Sequence, residues 1–143
     1  MIIKGIIFDI NGTLSDIRTN EWHDDVYRVI SNLLSYQGVL IDPNAVKYFY
    51  FQIMKEQRAA SGERHPEFDA IAIFREIITR HATGFTHALP TEKIDQLPRL
   101  LAETHRAASR LQLQLYPGVE HIIRQLGVSC VAMTMAGYPL ITT

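Results

Sequence analysis

The chain has 143 residues, 47% hydrophobic and 20% charged, with a formal net charge of −1. That is the size and composition of an ordinary globular domain with enough apolar surface for a core, which excludes an intrinsically disordered chain. No basic run or arm is present to track a phosphate backbone, so nucleic acid is not an expected partner.

The amino-terminal stretch contains Ile2, Ile3, Ile6, Ile7 and Phe8. A nearly continuous β-branched run of this kind predicts a strand buried on both faces, as in a parallel sheet covered by helices. It is too short for a membrane span, and Asp9 interrupts it before a signal-peptide cleavage site could form. No membrane and a cytoplasmic location are therefore expected. Asn11 and Gly12 then form a turn. From about Glu21 to Leu111 the spacing becomes helical. Trp22, Val26, Val29, Ile30, Leu33 and Leu34 mark a first helix that stops near Gly38. A second starts at Asp42-Pro43, with Asp42 as cap, carries Val46, Phe49, Tyr50, Ile53 and Met54, and gives way at Ser61-Gly62. A third begins near Pro66 and ends near Gly84. A fourth follows Pro90-Thr91, where Pro98 either kinks it or starts a new helix. After the turn Leu115-Tyr116-Pro117-Gly118-Val119, residues 121–126 predict a short helix and 128–133 a second buried strand. Cys130, the only cysteine, falls in that strand as a small buried hydrophobe and excludes an internal disulfide.

The chemistry-bearing segment is Phe8-Asp9-Ile10-Asn11-Gly12-Thr13-Leu14. A carboxylate past a buried strand, beside a glycine loop whose N–H groups can face an anion, can attack an electrophilic phosphorus or carbon, or hold a magnesium ion. On residues alone, Asp9 reads equally as a strand-terminating turn cap. Glu56, Arg58, Glu63, Arg64 and His65 flank the Ser-Gly break and read as a solvated helix end. His81, His87, His105 and His121 lack the spacing of a metal site. Asp24 and Asp25 read as first-turn helix charges. The run Tyr48 to Phe51 reads as core packing with a partner surface rather than a base-stacking platform.

This segment resembles the first motif of the haloacid dehalogenase superfamily, a hydrophobic run followed by Asp-x-Asp-Gly-Thr-Leu. The return segment Leu115 to Val119 with its following helix is similar to that of members with a helical cap. The resemblance implies an α/β fold with a Rossmann-type parallel-sheet core, incomplete here, built from residues 1–15 and 112–143, and an α-helical cap inserted at 16–111. It implies a hydrolase in which Asp9 attacks a small phosphorylated metabolite and becomes an aspartyl-phosphate. Mg²⁺ would be held by the Asp9 carboxylate and the backbone carbonyl of Asn11, with Ile10, Asn11, Thr13 and Thr134 at the substrate. Asn11 stands where phosphatase members carry a second Asp, the usual proton donor and acceptor. A related reading is displacement of halide from carbon in a halogenated substrate, which needs no proton. The other is a non-catalytic fragment or binding module. No Lys or Arg follows Arg124, and no Asp or Glu follows Glu120, so the later lysine and acidic motifs are missing. A chain cut short at its carboxyl end is expected on that account.

Overall fold

The computed structural model describes residues 7–126. In chain order its elements are β1 (Ser15–Thr19), α1 (Asp24–Tyr36), α2 (Pro43–Ser61), α3 (Ala70–His81), α4 (Gly84–His87), α5 (Thr91–Ser109), β2 (Arg110–Leu115) and α6 (Val119–Leu126). They fall into two compact units. One is Asn20–Ser109; the other comprises the residues up to Thr19 and those from Arg110 onward.

In the helical unit α1, α2, α3 and α5 form a ring in which each packs against two others. Their buried faces follow the helical period: Tyr27, Ile30 and Leu34 on α1, Val46, Tyr50 and Ile53 on α2, Phe74, Ile77 and Ile78 on α3, and Leu97, Leu101 and His105 on α5. Each large apolar side chain so buried contributes about 1.5–3 kcal/mol.

Local chemistry sets the helix ends. Asp42 accepts from the Asn44 and Ala45 N–H groups at 3.0 and 3.1 Å, Pro43 occupies the first turn, and Gly62 ends α2 with φ +67°. The third helix starts at Ala70 rather than near Pro66. Asp69 caps it by accepting from Ile71 and Ala72, while Gln57 of α2 clamps the Asp69 main chain by accepting from its N–H at 2.8 Å and donating to its carbonyl at 3.3 Å. Of the two outcomes open at Pro98, a new helix is not formed. Pro98 lies buried inside α5, between Leu97 and Leu101 of the core, and that packing offsets the hydrogen bond the Ile94 carbonyl loses. Trp22 precedes α1 and is 66% exposed, its ring stacked on Phe51 at 3.9 Å.

The other unit contains the described strands. Its sheet has two antiparallel strands, and the expected parallel sheet is not formed among the described residues. Ile7 and Phe8, the described part of the apolar run, lie in no strand, and Ile7 is 100% exposed. Ile2, Ile3 and Ile6 lie outside the described residues, among which β1 and β2 pair with each other. The 128–133 strand, Cys130 and Thr134 lie outside the described residues. In the β1–β2 register Ile17 faces Leu113 and Ser15 faces Leu115 on one side; Asp16, Arg18, Gln112 and Gln114 occupy the other, with an irregularity between Arg18 and Thr19. Gln112 donates to Asp16 Oδ2 at 2.6 Å across that polar side. The helix after the Pro117-Gly118 turn, α6, begins at Val119, two residues before the expected 121. Among the described residues no helix is long and apolar enough to cross a membrane.

The core of the helical unit holds one titratable base. The His105 ring stacks on Tyr50 at 4.3 Å, and its Nε2 lies 3.4 Å from the Tyr27 hydroxyl, which itself donates to the Glu21 carbonyl at 2.6 Å. With the Tyr27 proton so committed, its oxygen is left to accept from Nε2–H. Burial, and secondarily the charge of Arg106, pushes the His105 pKa down to about 4 from 6.5. Between those values the unfolded chain binds a proton that the folded chain refuses, so stability rises with pH across that window and is lost as pH falls through it. The expected loss from pH 7 to pH 4 is up to roughly 3 kcal/mol from this group. Urea melts of wild type and His105→Phe across that range check it. The variant should show a shallower pH dependence, and identical slopes would show that His105 contributes nothing.

Candidate functional site

The Asp9 loop is wound around a single main-chain oxygen. The Ile10 carbonyl accepts from the N–H groups of Thr13, Leu14 and Ser15 at 3.3, 2.9 and 2.8 Å, and from Ser15 Oγ at 3.2 Å. The Gly12 N–H donates back to the Ser15 carbonyl at 2.8 Å. Such a tight coil needs a residue in the left-handed region, and Gly12 supplies it with φ +83°. Ser15, buried, is both the last residue of the coil and the first of β1, so the loop is anchored to the ribbon.

The coil presents Asp9. Its carboxylate is exposed, and Oδ2 accepts from Thr13 Oγ1 at 3.0 Å. Among the described residues Oδ1 has no hydrogen-bond partner, and the Asn11 carbonyl accepts no hydrogen bond. The structure therefore brings Asp9, Ile10, Asn11 and Thr13 into one turn. The coil leaves two oxygen acceptors uncommitted beside a restrained carboxylate. Carboxylate and carbonyl oxygens are the donors a hard divalent cation takes, and Mg²⁺ keeps much of its coordination for water and substrate. The donor set fits Mg²⁺ in that partial sense. No group of three or more His, Cys, Asp or Glu side chains is placed to hold a metal among the described residues.

The remaining sequence candidates stand apart from this turn. Glu56 accepts from Gln52, Arg58 lies over the Phe68 ring at 5.1 Å, and Glu63, Arg64 and His65 are exposed in the α2–α3 connection. Glu63 and His65 line an open polar hollow there with Gln57, Ser61, Glu67, Phe68 and Asp69. Asp24 pairs with Lys47 at 2.7 Å, which holds its carboxyl below the usual range through that hydrogen bond and the lysine charge; Asp25 pairs with Arg28. His81 packs against Phe49, and His121 is exposed. Of the aromatic run, Tyr50 is buried, Phe49 and Phe51 are half-buried, and Tyr48 is exposed. Sequence reasoning missed the β1–β2 ribbon. Its signal was present in Arg110-Leu111-Gln112-Leu113-Gln114-Leu115, a strict two-residue alternation that only a strand explains.

Comparison with family models, curated proteins and solved structures returns no match.

Gly12→Ala tests the coil. Nothing lies within 4 Å of an added Cβ, so its cost is purely conformational, about 1–2 kcal/mol for an L-residue held in the left-handed region. Amide exchange at Leu14 and Ser15, whose N–H groups the Ile10 carbonyl holds, should accelerate about tenfold. Unchanged exchange at both would show that the coil does not depend on Gly12.

Proposed function

We propose that the chain is a haloacid-dehalogenase-like hydrolase that transfers a phosphoryl group from a small phosphorylated metabolite to Asp9, in a reaction dependent on Mg²⁺. The observation that supports this most is the coil itself: an exposed carboxylate restrained by the Thr13 hydroxyl, with its second oxygen uncommitted, directly before a strand that leads into a helical unit. Helices inserted between that loop and the Pro117-Gly118 segment are what the resemblance implies; the antiparallel ribbon is not part of it.

In this reading Thr13 fixes one carboxylate oxygen of Asp9, and the other attacks phosphorus. The bond from phosphorus to the leaving oxygen breaks as the aspartyl-phosphate forms, and water then attacks that phosphorus, releasing phosphate and regenerating Asp9. The Asp9 carboxylate and the Asn11 carbonyl would hold Mg²⁺, which supplies charge to offset repulsion between the anionic nucleophile and the anionic substrate. The Asn11 side chain cannot give a proton to the leaving oxygen or take one from water, so both come from solvent. That forgoes a contribution of about 10²- to 10⁴-fold. The same absence suits a second reading, displacement of a halide from carbon, since halide leaves without a proton.

Hydrolysis of p-nitrophenyl phosphate with Mg²⁺, by wild type and by Asp9→Asn, is the test. The expected result is measurable turnover that Asp9→Asn abolishes and that chelation of the metal abolishes reversibly. Equal rates for the two proteins would remove Asp9 as nucleophile, and release of halide from a 2-haloacid by wild type alone would favour the second reading.

A further inference from the structure

The residue that lacks the proton-transfer group is followed by glycine, and the two sit in the exposed coil. We infer that Asn11-Gly12 is a site of spontaneous deamidation, which converts Asn11 to a carboxylate and places a second acid in the Asp9 loop. The chemistry needs only water. The Gly12 nitrogen loses its proton to solvent base and bonds to the Asn11 side-chain carbonyl carbon, and the amide nitrogen leaves as ammonia. Water then opens the resulting succinimide at either carbonyl, giving aspartate or isoaspartate.

Three observations carry the assignment. Glycine is the least hindered nucleophile a following residue can provide, and around Gly12 nothing lies within 4 Å of the Cβ position. Asn11 is exposed, and its side-chain amide makes no hydrogen bond among the described residues. The chain's other asparagines are placed differently: Asn20 precedes Glu21, while Asn32 and Asn44 lie inside α1 and α2, where the helix holds the following residue. One contact opposes the reaction. The Gly12 N–H donates to the Ser15 carbonyl at 2.8 Å, and the nitrogen attacks only when that bond opens. A single main-chain bond of this kind slows the step by about tenfold, which delays the reaction without blocking it.

The consequence for activity rests on the phosphoryl-transfer reading; the modification does not. An aspartate at position 11 would supply the proton that an alkoxide leaving group requires, a demand that p-nitrophenolate hardly makes. The isoaspartate product adds a methylene to the main chain and would spoil the coil, so only the aspartate fraction gains.

The full-length protein is aged at mildly alkaline pH, with Asn11→Gln beside it, and digested for peptide mass analysis. The Asn11 peptide should acquire the deamidation mass shift and an isoaspartyl signal well before the peptides holding Asn20, Asn32 and Asn44. An Asn11 that keeps its amide as long as the other three overturns the proposal. Hydrolysis of β-glycerophosphate is then measured for fresh, aged, Asn11→Gln and Asn11→Asp proteins. Activity that grows with age in wild type, is present from the start in Asn11→Asp and stays absent in aged Asn11→Gln supports the gain. Deamidated wild type that gains nothing while Asn11→Asp is active overturns the gain. The mass shift with an inactive Asn11→Asp supports the modification and counts against the phosphoryl-transfer reading instead.

Discussion

The Asn20 N–H donates to the Ser109 carbonyl at 2.7 Å, and much of the architecture depends on the closure that this bond represents. Everything between those residues leaves β1 and returns to β2 at the same point, so the ends of a long insertion must be held together. The entropic cost of closing it grows only with the logarithm of its length, which is why a whole helical unit can be inserted where a tight turn would serve. What makes the closure favourable is that the insertion folds on its own core. The ring of α1, α2, α3 and α5 buries Ile30, Leu34, Val46, Ile73, Phe74, Ile77 and Leu101 completely, and the ends at Asn20 and Ser109 meet as a result.

The two units differ in how they are held. The helical unit is held by its own core: apolar faces meet one another, and buried Ser31 and half-buried Thr83 donate to the Ile41 and Gly38 carbonyls, while Gln37 Oε1 and His81 Nε2 are buried without a partner among the described residues. The ribbon is not. Leu113 and Leu115 remain more than half exposed on the face they share with Ile17, and α6 leaves Ile122 exposed. Its order comes from the strand pairing, the Gln112–Asp16 bond and the coil around Ile10. Among the described residues the Asp9 site is therefore built from short-range bonds, most of them between main-chain groups.

That difference explains what could be read from the sequence. Helices whose buried face repeats at three and four residues were legible because packing and pattern agree: Tyr50 and Ile53 are buried where the spacing puts them, and Asp42-Pro43 and Gly62 mark the ends of α2. The start of α3 was not, because the Gln57 clamp on Asp69 comes from another helix and leaves no local mark. The choice left open at Pro98 was settled by the same kind of non-local packing, since α5 continues through it with Leu97 and Leu101 in the core. The strands are a different case. Most of the apolar run before Asp9 and all of 128–133 lie outside the described residues, while the described strand pair includes the alternating Arg110–Leu115, whose pattern is the one a half-exposed strand leaves. At the site, the Asp9 to Thr13 spacing was legible through the motif. The fourfold acceptance by the Ile10 carbonyl was not, because main-chain bonds carry no side-chain signature.

The same fact bears on Asn11. The bonds that wind the coil run between the main-chain groups of Ile10, Gly12, Thr13, Leu14 and Ser15, with one added from Ser15 Oγ, and none uses the Asn11 side chain. The Asp9 to Thr13 contact likewise passes it by. The shape of the loop and the identity of the group at position 11 are thus independent: no bond that winds the coil or restrains Asp9 depends on whether an amide or a carboxylate stands there. Geometry is held by Gly12 and the main chain, whereas in the proposed phosphoryl-transfer reading proton transfer would be decided by one exchangeable side chain. On that reading a loop built this way would gain or lose acid–base chemistry without refolding, because the energy that holds it does not pass through the group that would perform it.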